Sequence, residues 1–281
     1  MEGGENIFLR EELEKRQGKG FNFSALELVG TRDSQQDCVK WIETDDKKFA
    51  VGMADGHGKD GAEVSNLVVE IANAELKKLP EDFKFTKKYF SDLFDRIDEQ
   101  VRGKYENGGT TFLLSLIDED NLWIAYVGDT QLYIGAKDGS IRRLTVPHRY
   151  KENKKEQDRL DFLDGGLLIS DNGRSYLNIT RSIGDKDFSL VSHMPEVQKV
   201  ELTDEVKYIV AGTDGFWDVL NKSSKRQKKL RKILQDGGSP EEIISKINIE
   251  ILSNVKLLDN ATLFLLEFRE KAKENVFNHN E

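Results

Sequence analysis

The sequence predicts an α+β protein built as an αββα sandwich, in which two antiparallel β-sheets stack and helices cover both outer faces. Short, hydrophobic β-type segments recur along the chain, and Gly, Asp and Asn residues separate many of them at the spacing of hairpins. Helical patterns occur in blocks between groups of strands rather than after every strand. Hairpin connections favour antiparallel pairing, and the hydrophobic density of the segments indicates buried strands.

Each predicted element has its own pattern. Apolar residues at helical spacing predict helices over residues 60–79, 86–106 and 152–164, and a pair of helices within 223–253. Alternating or continuous apolar runs predict strands in the segments FSALELVG, DCVKWIET, KKFAVGMA, GTTFLLSLID, NLWIAYVG, TQLYIGA, SIRRLTV, KYIVAGTD and ATLFLLEF.

The domain organisation follows from the same patterns. Residues 1–20 are charged and show little apolar periodicity, so we expect a flexible tail there, and a second tail over 271–281. Residues 21–270 contain no internal repeat and no low-complexity linker. We therefore predict a single catalytic domain over this range.

Composition excludes several classes of protein. A net charge of -9 argues against a general nucleic-acid binder, and no apolar stretch approaches the ~20 residues that cross a bilayer. The first residues are charged, unlike a signal peptide. Cys38 is the single cysteine, which excludes an internal disulfide and suits a reducing compartment. We expect a monomer in the cytoplasm, with the nucleus as the alternative.

Four acidic motifs stand at predicted strand ends. Asp37 lies in SQQDCV, Asp55 in MADGHG, Asp214 in GTDGFWD and Asp259 in LLDNATLFLL. Each motif alone is more typical of a turn. Together they supply hard oxygen ligands suited to Mg²⁺ or Mn²⁺, and two such ions about 3.5–4 Å apart activate a water molecule for attack on phosphorus.

Seven motifs stand in the order found in a known family. These are GTRDSQQD, MADGHG, GGTTFLLSL, AYVGDTQLYIG, LNITRSIGD, VAGTDGFWDVL and LDNATLFLLEF. In these motifs the chain resembles the protein phosphatase 2C-like, metal-dependent (PPM) family over about residues 23–269. The resemblance implies the αββα fold, two Mg²⁺ or Mn²⁺ ions, and hydrolysis of phosphoserine and phosphothreonine in phosphoprotein substrates by a metal-activated water.

The resemblance also implies a set of metal ligands. Asp55 corresponds to the carboxylate that bridges both ions, and the carbonyl oxygen of Gly56 to a ligand of the second ion. Asp214 and Asp259 correspond to ligands of the first ion.

Other roles implied by the resemblance concern the substrate and the support of the metals. His57 resembles the general acid that protonates the leaving oxygen, and Arg32 resembles the residue that binds the phosphate. Without the resemblance, a turn histidine and a surface arginine are the simpler readings of these two residues. Asp37 and Asn260 are interpreted as supports of the ligands.

The chain departs from the family pattern at three positions. Gln36 stands where a Glu usually reaches the second metal through water, which predicts a weakened second site. Pro147 replaces an Asp that helps to bind a third metal, so that site should be absent or built differently. Gln131 stands where an Arg is frequent. Asp129 and Asp185 also follow glycines, but we interpret them as turn residues outside the metal set.

Two alternatives remain open. A catalytically weak or inactive phosphatase-like module that binds protein partners is one, although such a relative is expected to lose Asp55, Asp214 or Asp259. The other arises from the basic run SSKRQKKLRKILQ, which could contact nucleic acid or an anionic membrane. An amphipathic helix that buries Leu230, Ile233 and Leu234 is the favoured reading, so we predict neither a nucleic-acid nor a membrane partner.

Overall fold

The computed structural model of the chain describes residues 7–11, 20–44, 48–161 and 168–269. Its helices are α1 (Gly61–Lys77), α2 (Lys87–Lys104), α3 (Lys154–Arg159), α4 (Asp214–Asn221), α5 (Ser224–Asp236) and α6 (Pro240–Glu250), followed by a short 3₁₀ turn at Leu252–Asn254. Its strands are β1 (Ile7–Glu11), β2 (Phe21–Leu28), β3 (Asp37–Thr44), β4 (Lys48–Gly58), β5 (Gly108–Thr110), β6 (Phe112–Asp118), β7 (Asn121–Val127), β8 (Gln131–Ala136), β9 (Ile141–Arg143), β10 (Leu168–Ile169), β11 (Tyr176–Leu177), β12 (Ile183–Gly184), β13 (Glu196–Glu201), β14 (Val206–Gly212) and β15 (Ala261–Phe268).

The strands form two antiparallel sheets. The first has six strands in the order β1-β2-β15-β14-β8-β9, and the second has the order β12-β5-β4-β6-β7-β13, with β3 also pairing with β4. A separate hairpin joins β10 to β11. Because β4 is long, it pairs with β3 along one edge and with both β5 and β6 along the other. The predicted pair of antiparallel sheets is confirmed.

Alternating side chains of each central strand point into different layers. In β15, Phe264 and Leu266 lie in the core between the two sheets, whereas Leu263 and Leu265 pack against α4, α5 and α6 on the outer face of the first sheet. A strand buried on both faces reads as a continuous apolar run, which explains ATLFLLEF.

The helices cover both outer faces, as predicted. Helices α1 and α2 pack on the second sheet, and their core includes Val68, Phe90 and Phe94. Helix α6 begins with a full capping box, because Ser239 accepts from the Glu242 N–H while the Glu242 side chain accepts from the Ser239 N–H. No helix within the described ranges has the length and apolar content needed to cross a membrane.

Several elements differ from the sequence-based expectations. Strand β1 lies inside the predicted tail 1–20 and pairs with β2, so the sheet extends into that segment; its other residues up to 19, and the predicted tail 271–281, lie outside the described residues. The segment SIRRLTV contributes only the three residues of β9 to a strand. The helix predicted over 152–164 is α3, which ends at Arg159.

We expect Phe264→Ala to destabilise the fold strongly. The Phe264 ring is 1% exposed and lies 5.8 Å from the Phe23 ring in the core between the sheets. Its truncation should lower the free energy of unfolding by about 3–5 kcal/mol, because a cavity remains in a packed interior. Urea denaturation measures this, with Leu258→Ala, at a side chain 68% exposed, as the control that should change little. A similar loss in both variants would contradict the two-sheet core.

Candidate active site

Three carboxylates from separate parts of the chain converge where strands of the two sheets end. Asp55 lies near the end of β4, Asp129 follows β7, and Asp214 is the first residue of α4 after β14. One oxygen of each lies within 4.8 Å of the others. This spacing and this all-oxygen donor set fit a hard divalent cation.

Close backbone contacts fix the position of Asp55. Its N–H donates to Thr111 Oγ1 at 3.1 Å, and its carbonyl accepts from the Thr111 N–H at 2.9 Å. The next residue, Gly56, donates its N–H to the Gln36 carbonyl at 3.0 Å. A Cβ at Gly56 would lie 2.1 Å from the carbonyl oxygen of Gly61, so a side chain is excluded there. Ligation by the Gly56 carbonyl stays a prediction.

Asp129 belongs to the cluster, which corrects its assignment to a turn alone. The turn before it uses Gly128 with a φ of +92°, and the carboxylate that follows is 4% exposed. His148 stabilises this turn with two hydrogen bonds. Its ring Nδ1 accepts from the Gly128 N–H at 3.1 Å, and its backbone N–H donates to the Gly128 carbonyl at 2.9 Å. The turn therefore directs the Asp129 carboxylate toward Asp55 and Asp214.

Asp214 is placed by the start of a helix rather than by a strand end. A Cβ at Gly215 would lie 1.9 Å from the carbonyl oxygen of Asn260, so α4 begins directly against the start of β15. Thr213 connects this point to Asp37, since its hydroxyl donates to Asp37 Oδ2 at 2.9 Å. Asp37 lies opposite Asp55 in the β3–β4 register. Its interpretation as a support of the ligands is consistent with these contacts.

The carboxylates of the cluster are buried and repel one another, and the positive charge nearby does not offset this. Burial raises the pKa of Asp214 to about 8, with repulsion from Asp129 adding to it and Arg149 opposing it. Burial, followed by repulsion from Asp37 and Asp214, raises the pKa of Asp55 well above its usual value. Burial likewise raises the pKa of Asp37 to about 7, and its Oδ1 is buried without a hydrogen-bond partner among the described residues. Such a cluster takes up either protons or cations, and its residues fit a metal.

One guanidinium already lies against the cluster. Arg149 Nε is 2.7 Å from Asp129 Oδ2, and Arg149 Nη2 is 2.6 Å from the same oxygen and 2.8 Å from Asp214 Oδ2. Asp218 Oδ1 lies 4.0 Å from Nη1. Burial lowers the pKa of Arg149, but attraction to Asp129 and Asp214 outweighs it and raises the pKa above its ordinary value.

Asp259 and Arg32 form a pair at the rim. Arg32 Nη2 donates to Asp259 Oδ2 at 2.7 Å, and the Arg32 side chain is 55% exposed. Asp259 interacts electrostatically with Asp55 and Asp214 but is not part of the three-carboxylate group. Metal ligation by Asp259 and phosphate binding by Arg32 stay predictions.

Asn260 and Gln36 organise the loop that carries Arg32. Asn260 Nδ2 donates to the carbonyls of Val29 and Ser34 at 2.9 and 3.0 Å, and its Oδ1 accepts from the Gln36 N–H at 2.9 Å. Gln36 Nε2 donates to the Gly58 carbonyl at 3.0 Å. Both side chains therefore support backbone beside the acidic residues, and their part in supporting the metal ligands stays a prediction.

His57 has a carboxylate partner that the sequence did not indicate. Its Nε2 lies 2.7 Å from Asp185 Oδ2, an oxygen that also accepts from the Ser182 hydroxyl. Burial lowers the pKa of His57, but the charge and hydrogen bond of Asp185 outweigh it and raise the pKa above 6.5. The contact requires Gly109, where a Cβ would lie 2.2 Å from Asp185 Oδ2.

The remaining positions have structural surroundings. Cys38 is buried, donates to Asn66 Oδ1 at 3.5 Å, and has a pKa raised by burial to about 12, so it is a poor nucleophile. Gln131 is buried, and its carbonyl accepts from Trp217 Nε1 at 3.1 Å. Pro147 offers only a backbone carbonyl, which accepts from Asn153 Nδ2.

The basic run forms α5, and its apolar residues face the core. Leu230, Ile233 and Leu234 are buried against the first sheet and its helices. Lys229 pairs with Glu250 at 2.9 Å. This arrangement is the amphipathic helix favoured from the sequence.

Comparisons with known proteins agree with this fold and site. A profile of the protein phosphatase 2C family matches residues 17–254. "Protein phosphatase 2C 1" of Paramecium tetraurelia is 25% identical over 273 aligned residues, which cover 87% of this chain and 89% of the relative. "Probable protein phosphatase 2C 56" of Oryza sativa subsp. japonica is 24% identical and covers 88% of this chain and 70% of the relative.

Solved structures with the same fold include two phosphatases. The serine-threonine phosphatase 2C from Toxoplasma gondii superposes with a TM-score of 0.67 at 19% identity, over 94% of this chain and 99% of that one. Serine/threonine phosphatase Stp1 from Staphylococcus aureus superposes with a TM-score of 0.69 at 18% identity, over 92% and 100%. With the family profile matching most of the sequence, the chain belongs to the protein phosphatase 2C family of metal-dependent serine/threonine phosphatases.

Proposed function

We propose that this protein hydrolyses phosphoserine and phosphothreonine in phosphoprotein substrates with two Mg²⁺ or Mn²⁺ ions. The observation that carries the proposal is the convergence of the Asp55, Asp129 and Asp214 carboxylates within 4.8 Å, in surroundings that raise the pKa of Asp55 and Asp214. Asp55, Asp214, Asp259 and the Gly56 carbonyl would hold the ions. Bound divalent cations supply Lewis-acid charge that lowers the pKa of a water molecule and neutralises phosphate oxygens.

The chain's own residues bind the substrate and move the proton. Arg32 lies at the solvent-facing rim, where its guanidinium can hold two phosphate oxygens in place of Asp259. His57 holds a proton on Nε2 against Asp185, which leaves Nδ1 to protonate the leaving seryl or threonyl oxygen. Asp185 positions the imidazole and stabilises its charged form. Cys38, buried and protonated, takes no part.

A catalytically weak or inactive module that binds protein partners is the second candidate. Gln36 supports it, because an amide engaged with the Gly58 carbonyl brings no negative charge to the second metal. Activity as a monomer, in the cytoplasm or the nucleus, stays a prediction from the sequence.

We expect turnover of a phosphopeptide to require added Mg²⁺ or Mn²⁺ and to stop in excess EDTA. Asp55→Asn should lower kcat by several orders of magnitude at saturating metal, because it removes charge from the centre of the cluster. Exposed Asp82→Asn is the control and should keep parental turnover. A folded, metal-loaded parent without turnover would favour the partner-binding module, and undiminished kcat in Asp55→Asn would contradict the assigned site.

Replacing Arg32 by Ala should raise KM for phosphopeptides, because the substrate loses a two-pronged phosphate contact. Arg32→Lys should recover only part of the loss, since an ammonium group cannot bind two oxygens in a fixed plane. Steady-state kinetics test this against Arg96→Ala, an exposed arginine paired with Glu75, and against Cys38→Ser. Neither control should change KM. Inactivation by Cys38→Ser with metal binding retained would indicate thiol chemistry instead.

The His57–Asp185 pair should matter most for poor leaving groups. His57→Gln should lower kcat for a phosphoserine peptide by about 10²–10⁴-fold, and Asp185→Asn should lower it less, because only the positioning of the ring is lost. For p-nitrophenyl phosphate, whose leaving group needs no proton, both losses should be far smaller. Exposed Asp187→Asn is the control. Equal losses on both substrates would contradict a role for His57 as the proton donor.

A further inference from the structure

Arg149 has an unusual position for an arginine in a site that binds cations. Its side chain is 20% exposed, and its guanidinium contacts two of the three clustered carboxylates directly. A single atom, Nη2, lies between Asp129 Oδ2 and Asp214 Oδ2 at 2.6 and 2.8 Å. By hydrogen bonding to both oxygens, this positive charge neutralises the same pair of carboxylates that a divalent cation between them would neutralise.

The backbone around Arg149 holds the side chain in this place. The preceding residue, His148, is fully buried, exchanges two hydrogen bonds with Gly128, and stacks on Tyr126 with ring centroids 4.8 Å apart. Gly128 immediately precedes Asp129, so the same contact that fixes the Asp129 turn also fixes the start of Arg149. The backbone that carries Arg149 is therefore held by the same contacts that position Asp129, so the guanidinium belongs to the cluster and is not a mobile surface side chain.

The charge of Arg149 is permanent. A guanidinium does not lose its proton in proteins, so Arg149 carries its positive charge at every pH at which the protein is folded. Glu152 and Asp218 lie 3.7 and 4.0 Å from Nη1, so four acidic side chains surround one cation. Removal of this cation would leave Asp129 and Asp214 facing each other in a poorly solvated space.

We propose that Arg149 is a tethered cation that fills the position between Asp129 and Asp214 and takes the place of one divalent ion. Metal would then be held on the Asp55 side of the cluster, because Arg149 is bonded to only one of the two oxygens of Asp214. The inference rests on the proposed function, because it assumes that the cluster binds divalent cations. Arg149 would therefore have two roles. It would limit the number of divalent ions that the cluster binds, and it would neutralise part of the cluster's negative charge before metal binds.

Calorimetric titration with Mn²⁺ tests the number of sites directly. Arg149→Gln should bind one more equivalent of Mn²⁺ than the parent, whereas Arg149→Lys, which keeps the charge, should bind the parental number. In EDTA, Arg149→Gln should melt several degrees below the parent, and Mn²⁺ should restore its Tm. The same non-zero count in Arg149→Gln and the parent would overturn the inference and leave Arg149 as an ordinary ion-pair partner, whatever the Tm.

Arg181→Gln is the matched control. Arg181 is 17% exposed, and its Nε and Nη2 lie 2.9 and 2.6 Å from Oε1 of the buried Glu156, away from the acidic cluster. Its replacement should lower the Tm by the same amount in EDTA and in Mn²⁺, relative to the parent under each condition, and should leave the count of bound Mn²⁺ unchanged.

Asp129→Asn keeps the inference testable if Arg149→Gln does not fold. If Arg149 fills the position between Asp129 and Asp214, Asp129 binds no metal in the parent. Asp129→Asn should therefore bind the parental number of Mn²⁺ ions. Loss of one equivalent in Asp129→Asn would overturn the inference. No Mn²⁺ binding by the parent or by Arg149→Gln would overturn both the inference and the metal-dependent function, whereas equal, non-zero counts overturn the inference alone.

Discussion

Repulsion among buried carboxylates is the constraint that organises this end of the molecule. Asp37, Asp55 and Asp214 all have a raised pKa, chiefly because burial removes the water that would stabilise their charges. Such a group is stable only beside positive charge or bound protons. Arg149 supplies charge from within the cluster, Arg32 supplies it at the rim, and divalent cations supply the rest in the proposed enzyme.

The two-sheet core allows so many acids to meet. Strands β4 and β15 are buried on both faces, so hydrophobic contacts hold their ends in place. The free energy gained by this packing offsets the repulsion among the carboxylates that the strand ends bring together. Close backbone approaches then set the final spacing. Gly56 and Gly215 each lie where a Cβ would overlap a neighbouring carbonyl oxygen, so Asp55 and Asp214 stand beside residues that cannot be larger.

The sequence predicted what depends on local pattern and missed what depends on register. Long apolar runs revealed the sandwich, and the acidic motifs revealed Asp55 and Asp214. The pairing of His57 with Asp185 spans 128 positions and depends on β4, β5 and β12 lying side by side, which no local pattern encodes. Asp129 was interpreted as a turn residue because it follows Gly128, a residue typical of turns. Arg149 was not predicted to take part in the site, because a basic residue after a strand is typical of a protein surface.

The two guanidiniums at this site serve different electrostatic needs. A chain with a net charge of -9 repels a phosphate at long range, although salt screens this beyond about 8 Å at physiological ionic strength, so attraction has to be local. Arg149 is enclosed by acids, and its charge is largely consumed in neutralising them. Arg32 pairs with a single partly exposed carboxylate and faces solvent. In the proposed enzyme, an arriving phosphate would therefore compete with Asp259 for Arg32 but not with Asp129 and Asp214 for Arg149. The residue proposed to receive the substrate would then be separate from the one that neutralises the cluster.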